Sequence, residues 1–248
     1  MKEERPFLKA VKISIVFAIA IIVISAIGYI FTKQFEQLNS STSLPVFNNS
    51  SAYRFVIDAG HGGEDAGAIA SDGTLEKDLN LSFATLLCTV LELNGNEVEL
   101  TRSEDKLLYD RYGDLENYTG QKKVYDLKNR LRIAQEQQNS IYIGLHMNKF
   151  PLEKYSGLQI YYSPSTDLSY QIANEIKSTV VSYLQPNNKR PLKVADSSIY
   201  ILHKAKIPAI LVECGFMSNQ EELSLLKDNE YQKKMCLSLF AAIVKYAN

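Results

Sequence analysis

The sequence predicts an α/β fold: a single domain with a mainly parallel central sheet flanked by helices, preceded by an N-terminal transmembrane helix. Three observations support this. Apolar segments of strand length alternate with longer segments of helical periodicity, a charge-free apolar run precedes them, and polar motifs follow several of the strands. Such alternation is typical of parallel strands joined by right-handed helical crossovers.

Residues 1–52 are expected to form an anchor and a tether. Residues 13–31 contain no charged side chain, and at ~1.5 Å rise per residue this helix is roughly 29 Å long, close to the hydrocarbon thickness of a bilayer. The basic segment 1–12 predicts a cytoplasmic N-terminus, with the remaining chain outside the cytoplasm. A cleaved signal peptide is the alternative, although the apolar run is long for one. Residues 32–52, rich in Asn and Ser, predict a flexible linker.

Residues 53–248 are enough for one domain with a hydrophobic core. A buried strand is predicted at 53–58, which is rich in Phe, Val and Ile and ends in a glycine cluster. A helix is predicted at 78–94, with Gly95 as its C-terminal stop. The other predicted elements are strands at 97–101, 141–145, 158–162 and 209–212, and helices at 125–137, 168–184 and 229–246.

Composition narrows the class of protein. The formal net charge of −1 offers no basic field for a nucleic acid, so none is expected as a partner. Cys88, Cys214 and Cys236 are odd in number and lie in apolar stretches. They are therefore predicted to be buried free thiols rather than a disulfide framework.

Three polar motifs carry the chemistry: Asp58–Gly63 with Glu76 beyond it, Leu145–Asn148, and Val212–Phe216. In them, His61, His146 and Glu213 each follow the carboxyl end of a predicted strand. Open α/β sheets bind ligands at that edge. Glu76 would come from the loop that enters the first helix, at the same edge. We therefore expect these four side chains to converge.

The two histidines predict a zinc site. Catalytic zinc is held by three protein ligands, usually imidazoles and a carboxylate, and its fourth position stays open for water. His61 and His146 are two of the three histidines in the chain. From chemistry alone the third ligand stays open among four nearby acids: Glu64, Asp65, Glu76 and Asp78. A His61-x-x-Glu64 pair is the pattern of zinc carboxypeptidases.

Glu213 leaves an apolar strand, so its pKa is expected to be raised, which suits a proton carrier. Cys214 beside it is disfavoured as a nucleophile because no motif pairs it with a base. Further candidates for supporting the site or contacting substrate are Asp58, Asn148 and His203. Asp58 would either orient an imidazole or cap the glycine loop.

These motifs resemble the zinc-dependent N-acetylmuramoyl-L-alanine amidases, which cut peptidoglycan between the lactyl group of muramic acid and the first L-alanine. The resemblance extends from about residue 53 to residue 246. It rests on four motifs: Val56–Gly63, Glu76–Asp78, Leu145–Asn148 and Glu213–Asn219.

The resemblance implies a zinc ion held by His61, Glu76 and His146, with Glu213 as the catalytic acid and base. It favours Glu76 over Glu64 as the third ligand. Arg130 matches a recurrent arginine of the family, with a structural role implied. Two positions depart from the pattern: Ala59 stands where the family often has Pro, and His203 where it often has Arg.

A single domain near the membrane, together with the segments 118–123 and 154–157, resembles the germination-specific, spore-cortex subgroup. This implies removal of peptides from cortex muramic acid, so that a deacetylase can form muramic-δ-lactam, and in some members an accessory lipoprotein. The expected partners are peptidoglycan and the membrane. The expected location of the catalytic domain is outside the cytoplasm, in the forespore intermembrane space.

Two rival functions are a zinc carboxypeptidase that acts on wall peptides through Glu64 and a non-catalytic envelope-binding module. A module without activity is expected to lack at least one of the four residues His61, Glu76, His146 and Glu213. All four are present.

Overall fold

The structure is a computed structural model that describes residues 53–114 and 116–246. Within these residues the strands are β1 (Arg54–Ala59), β2 (Val98–Leu100), β3 (Ser140–Asn148), β4 (Gln159–Tyr162), β5 (Lys193–Val194) and β6 (Ala209–Phe216). They form one sheet in the order β2-β1-β3-β6-β4-β5. The first four strands in that order run parallel, whereas β4 is antiparallel to β6. The predicted α/β fold with a mainly parallel sheet is therefore confirmed.

The helices are α1 (Glu76–Leu93), α2 (Lys122–Ala134), α3 (Asp167–Tyr183), α4 (Tyr200–Lys204), α5 (Gln220–Lys227) and α6 (Asn229–Ile243), followed by a 3-10 turn at Val244–Tyr246. Each predicted helix and strand is present within a few residues of its expected ends. Gly95 follows α1 with φ of 80°, as expected for a glycine stop. β5, α4 and α5 were not predicted, because each is too short for a clear periodic pattern.

The core lies on both faces of the sheet, because alternate residues of a strand point to opposite faces. Phe55 and Ile57 of β1 pack into the larger cluster, together with apolar residues of α1, α3 and α6. Val56 points the other way, into a smaller cluster with Ile133 of α2 and Leu202 of α4. The two clusters cover both faces of the central strands. This explains why the sequences of these strands are continuous apolar runs.

The predicted basic segment 1–12, transmembrane helix 13–31 and linker 32–52 lie outside the described residues. Of the helices in residues 53–114 and 116–246, none is both long and apolar enough to cross a membrane. The three cysteines are free and buried, as predicted.

Candidate metal centre

Two neighbouring strands, a tight loop and a helix start bring the predicted site residues together. His146 of β3 and Glu213 of β6 are direct partners across the parallel strand pair. The prediction that both follow a strand end was wrong, because β3 and β6 continue pairing through the polar motifs. His61 does follow its strand, β1. Glu76 is the first residue of α1 and not part of the loop before it.

His61, Glu76 and His146 form a group that can hold a metal ion, and their donor atoms all lie within 4.8 Å of one another. Oε1 of Glu76 is 3.3 Å from Nε2 of His61 and 3.0 Å from Nδ1 of His146. Tetrahedral zinc with bonds of about 2.0–2.2 Å separates its donor atoms by about 3.4 Å. The donor set and its spacing therefore fit zinc. Within residues 53–114 and 116–246, this is the one such group.

Two glycines leave room for these side chains. A Cβ atom on Gly60 would lie 2.2 Å from Nε2 of His146. A Cβ atom on Gly67, whose φ is 67°, would lie 2.6 Å from Oε2 of Glu76 and 2.7 Å from Cδ2 of His61. Any larger residue at either position would displace a candidate ligand.

His61 has a left-handed backbone, with φ of 62°, which costs a non-glycine residue about 1–2 kcal/mol. Two buried arginines hold this loop through its main-chain carbonyls. Arg130 donates to the carbonyl of His61 at 2.6 Å and to that of Ala59 at 2.7 Å. Arg102 donates to the carbonyls of Ala59 at 2.9 Å and Gly60 at 3.1 Å. These donors offset the cost of the strained conformation.

Asp58 supports one of these arginines and contacts neither imidazole. Its carboxylate accepts hydrogen bonds from Arg130 at 2.5 Å, Thr101 at 2.5 Å and Tyr142 at 2.6 Å. Burial raises the pKa of Asp58, but Arg130 and the two hydroxyls outweigh it and hold the pKa below its ordinary value. Asp58 therefore neither orients an imidazole nor caps the loop directly, and both expectations for it were wrong. It fixes the arginine that holds the loop.

Asp65 orients the imidazole of His61. Its Oδ2 lies 2.9 Å from Nδ1 of His61. Burial raises the pKa of Asp65, but the imidazole and Lys123 lower it below its ordinary value, so the carboxylate is ionised and accepts the Nδ1 hydrogen. Nε2 of His61 is then left facing Glu76, as a metal ligand requires. Burial lowers the pKa of His61, but Glu76 and Asp65 together raise it above its ordinary value.

Glu76 is fixed by main-chain and side-chain donors. Its Oε2 accepts the N–H of Ala68 at 2.7 Å, and its Oε1 accepts the N–H of Met147 and Nδ2 of Asn80, each at 3.2 Å. Burial raises the pKa of Glu76, but His146 and His61 outweigh burial and bring it well below its ordinary value. The carboxylate is therefore charged and is held in place by these protein donors.

Glu213 has a different environment, although it lies beside the same group. Its Oε2 is buried and has no hydrogen-bond partner among the described residues. Burial raises the pKa of Glu213 to about 7, with His146 and His61 opposing the rise and Glu76 adding to it. The raised pKa expected from the sequence is confirmed.

The other candidates have no described hydrogen bond or ion pair with the metal group. Glu64 is 62% exposed and pairs with Lys122 at 3.3 Å, so the carboxypeptidase pattern is not formed; Asp78 is also exposed. The main-chain carbonyl of Asn148 accepts a hydrogen bond from the N–H of Met217 at 2.7 Å, which links the end of β3 to the residue after β6. His203 is exposed on α4, and none of its described hydrogen bonds or ion pairs reaches the metal group.

Three residues support the site in roles that were not predicted from the sequence: Asn80, Asp65 and Arg102. Asn80 lies four residues after Glu76 on α1, and this helical spacing could have indicated a contact. Asp65 was considered as a ligand only. Arg102 follows β2 outside any motif, so no local pattern points to it.

The comparisons with known proteins agree with this geometry. The family model for N-acetylmuramoyl-L-alanine amidases matches residues 55–245. The chain belongs to the N-acetylmuramoyl-L-alanine amidase family. It is 30% identical over 220 residues to the germination-specific N-acetylmuramoyl-L-alanine amidase of Bacillus subtilis (strain 168), a match that covers 88% of this chain and 89% of the relative.

Two solved amidases have similar folds. The CwlD amidase from Clostridioides difficile, solved in complex with the GerS lipoprotein, is 36% identical, with a TM-score of 0.72 and coverage of 78% of this chain and 98% of that chain. The amidase AmiC2 of Nostoc punctiforme is 30% identical, with a TM-score of 0.66 and coverage of 80% and 98%. The resemblance to the amidase family is confirmed, and with it an amidase function on peptidoglycan.

Proposed function

We propose that this chain is a zinc-dependent N-acetylmuramoyl-L-alanine amidase that removes stem peptides from the peptidoglycan of the spore cortex. The observation that carries the proposal is the convergence of His61, Glu76 and His146 next to Glu213, whose Oε2 has no hydrogen-bond partner among the described residues. Two imidazoles, one carboxylate and a separate proton carrier are the parts that a zinc amidase needs.

His61, Glu76 and His146 would hold the zinc ion. When bound, zinc supplies a Lewis acid that polarises the scissile carbonyl and lowers the pKa of water. Asp65 keeps the imidazole of His61 in the orientation that binds metal, and the N–H groups of Ala68 and Met147 keep the carboxylate of Glu76 in place. The ligands are thus arranged by the protein before metal binding, which limits the entropy lost on binding.

Glu213 moves the proton. Its carboxylate accepts a proton from the attacking water as the new C–O bond forms. It then donates that proton to the nitrogen of L-alanine as the C–N bond breaks, which releases a neutral amine. With a pKa of about 7, Glu213 populates both protonation states near neutral pH, as a group that acts first as base and then as acid requires.

The spore-cortex role is supported by the relatives. The Bacillus subtilis relative is described as germination-specific. The CwlD amidase from Clostridioides difficile shares 36% sequence identity with this chain. In this role, the free muramic acid left by the amidase would be the substrate for a deacetylase that forms muramic-δ-lactam. An accessory lipoprotein is proposed as a partner because CwlD was solved in complex with one.

A membrane anchor at residues 13–31 is part of the proposal and would place the catalytic domain outside the cytoplasm, in the forespore intermembrane space. The charge-free apolar run and the basic residues before it support this. Full-length protein should stay in the membrane fraction after a high-salt wash. Recovery of a shortened soluble form would show cleavage instead.

Mass spectrometry of digested peptidoglycan tests the reaction. An amidase releases peptides that begin with the free amine of L-alanine and leaves muramic acid with a free lactyl carboxylate. New carboxyl termini within otherwise intact stem peptides would support the carboxypeptidase alternative. Reconstitution of zinc-stripped protein with zinc should restore release.

A further inference from the structure

A cavity lies beside the start of β4, the strand that neighbours β6 and its Glu213. Its volume is about 610 Å³, and segments 154–157 and 184–190 line it together with residues of α5 and α6. Gln159, which begins β4, pairs with Glu213 of β6, and neighbouring strands are about 4.8 Å apart. Nε2 of Gln159 donates to the carbonyl of Pro191 at 2.8 Å, next to Arg190 in the cavity wall. Gln159 therefore connects the cavity wall at Pro191 to the strand that carries Glu213.

Arg190 is fixed in this wall by contacts that leave the end of its guanidinium free. Its Nε donates to the carbonyl of Ser156 at 2.9 Å. Its guanidinium carbon lies 4.3 Å from the ring centre of Phe216 and 5.2 Å from that of Tyr155. Neither terminal nitrogen of Arg190 has a hydrogen-bond or ion-pair partner in residues 53–114 and 116–246. Stacking and one hydrogen bond thus orient the two terminal nitrogens of Arg190, which donate to no group in the described part of the chain.

The buried acid of the cavity, Glu222, forms no ion pair with Arg190, although burial raises the pKa of Glu222 and the positive charge of Arg190 opposes that rise. Glu222 accepts the N–H groups of Gly157 and Phe216, each at 2.7 Å, so both of its oxygens are engaged. It forms no salt bridge with Arg190 within 4.0 Å. Lys154, over the ring of Tyr155 at 5.6 Å, adds positive charge, while Glu221 is an exposed acid at the rim. The feature of the cavity that suits an anion is therefore the terminal nitrogens of Arg190, which pair with no carboxylate among the described residues.

We propose that Arg190 binds a free carboxylate of the stem peptide whose amide bond is being cut. This proposal rests on the amidase function. A planar guanidinium held by stacking binds a carboxylate through two parallel hydrogen bonds. An extended peptide advances at most about 3.3–3.6 Å per residue, so a peptide that leaves the metal group can reach the neighbouring strand within a few residues. A neutral sugar of the glycan strand would offer the guanidinium no charge partner.

The test compares two synthetic muramyl dipeptides that differ in one group. In one, the second residue carries a free α-carboxylate; in the other, that carboxylate is amidated. Zinc-loaded full-length protein should cleave the free acid with a kcat/KM about ten-fold or more above that of the amidated form, mainly through KM, as expected for one charged bidentate contact. Arg190→Gln should abolish this preference, and Arg190→Lys should keep part of it.

Lys204→Gln, an exposed lysine on α4, is the matched control and should keep the preference. Because the preference is a ratio within one protein sample, partial misfolding of a variant does not mimic its loss.

Equal cleavage of both dipeptides by the unchanged protein would overturn the assignment of Arg190 while leaving the amidase function intact. Cleavage of neither would instead contradict the amidase function. A retained preference in Arg190→Gln, with lost binding of an accessory lipoprotein, would overturn the assignment and identify the cavity as a protein contact.

Discussion

His146 and Glu213 face each other directly across the parallel strands β3 and β6. Residues paired in register point to the same face of a sheet, about 4.8 Å apart. The proton-carrying carboxylate is therefore positioned beside a metal ligand by the sheet itself. Strands position a site more rigidly than loops do. A substitution that keeps the shape of one of these side chains should therefore change the reaction rate without changing the fold.

Glu213→Gln should abolish turnover while leaving the fold and the zinc content intact. The amide preserves shape and cannot carry the proton, and general acid–base catalysis typically contributes about 10²–10⁴-fold. Zinc content, melting temperature and peptide release should be measured on the same sample. If the zinc-loaded variant released peptide at a near-normal rate, the catalytic role of Glu213 would be wrong.

Glu76→Ala should empty the metal site, whereas Glu64→Ala should leave it filled. Glu76 is buried among the ligand atoms, and Glu64 is 62% exposed and paired with a surface lysine. The two variants remove the same group, so each is the control for the other. Metal content after dialysis decides between them, and zinc retained by Glu76→Ala but lost from Glu64→Ala would reverse the ligand assignment.

Asp65→Ala should weaken zinc binding by about 10–100-fold without abolishing it, because partners that orient a metal-binding imidazole typically contribute that much. The carboxylate of Asp65 accepts the Nδ1 hydrogen of His61 at 2.9 Å. Competition with a zinc-binding dye would give the affinity. An affinity equal to that of Glu64→Ala would show that Asp65 does not orient the imidazole.

The sequence was informative about the fold and the ligands for identifiable reasons. Apolar periodicity revealed each long helix and central strand, and the motifs around His61, His146 and Glu213 marked the ligand edge. The supporting contacts could not be predicted, because they depend on distant pairings. Arg102 reaches the loop of His61 from beyond β2, a separation of about forty residues that no local pattern encodes. Asp58 was expected either to orient an imidazole or to cap the glycine loop because it is close to both in sequence, whereas its carboxylate accepts a hydrogen bond from Arg130.

Arg102→Met should lower both stability and zinc affinity. Arg102 is 2% exposed and donates to the carbonyls of Ala59 and Gly60. Arg130 and Asn80 still donate to these two carbonyls, but loss of the Arg102 bonds weakens the support of the strained His61 conformation, and a hydrogen bond from a charged group contributes about 1.5–3 kcal/mol. We expect the free energy of unfolding to fall by about 3 kcal/mol. Arg111→Met, which removes a partly exposed arginine paired with Glu99, should change stability little. Equal effects of the two substitutions would contradict the role of Arg102.

The pH dependence of stability provides a test of the environment of Glu213. Burial raises its pKa from 4.5 to about 7 in the folded protein, so between these pH values the folded state binds the proton more tightly than the unfolded state does. Stability of the zinc-free protein should therefore fall as pH rises through this window and then level off above it. At about 1.4 kcal/mol for each pKa unit, the full difference is about 3 kcal/mol.

Glu213→Gln isolates this contribution, because its side chain does not titrate. The raised pKa of His61 also gives stability below its ordinary value of 6.5 that is lost as pH rises, but His61 is present in both proteins and largely cancels in the difference. Urea unfolding of the two zinc-free proteins between pH 4 and pH 8 would measure that difference. The unchanged protein should lose stability relative to Glu213→Gln as pH rises. Parallel stability curves would mean that burial does not raise the pKa of Glu213, and its suitability as both base and acid near neutral pH would then lack a physical basis.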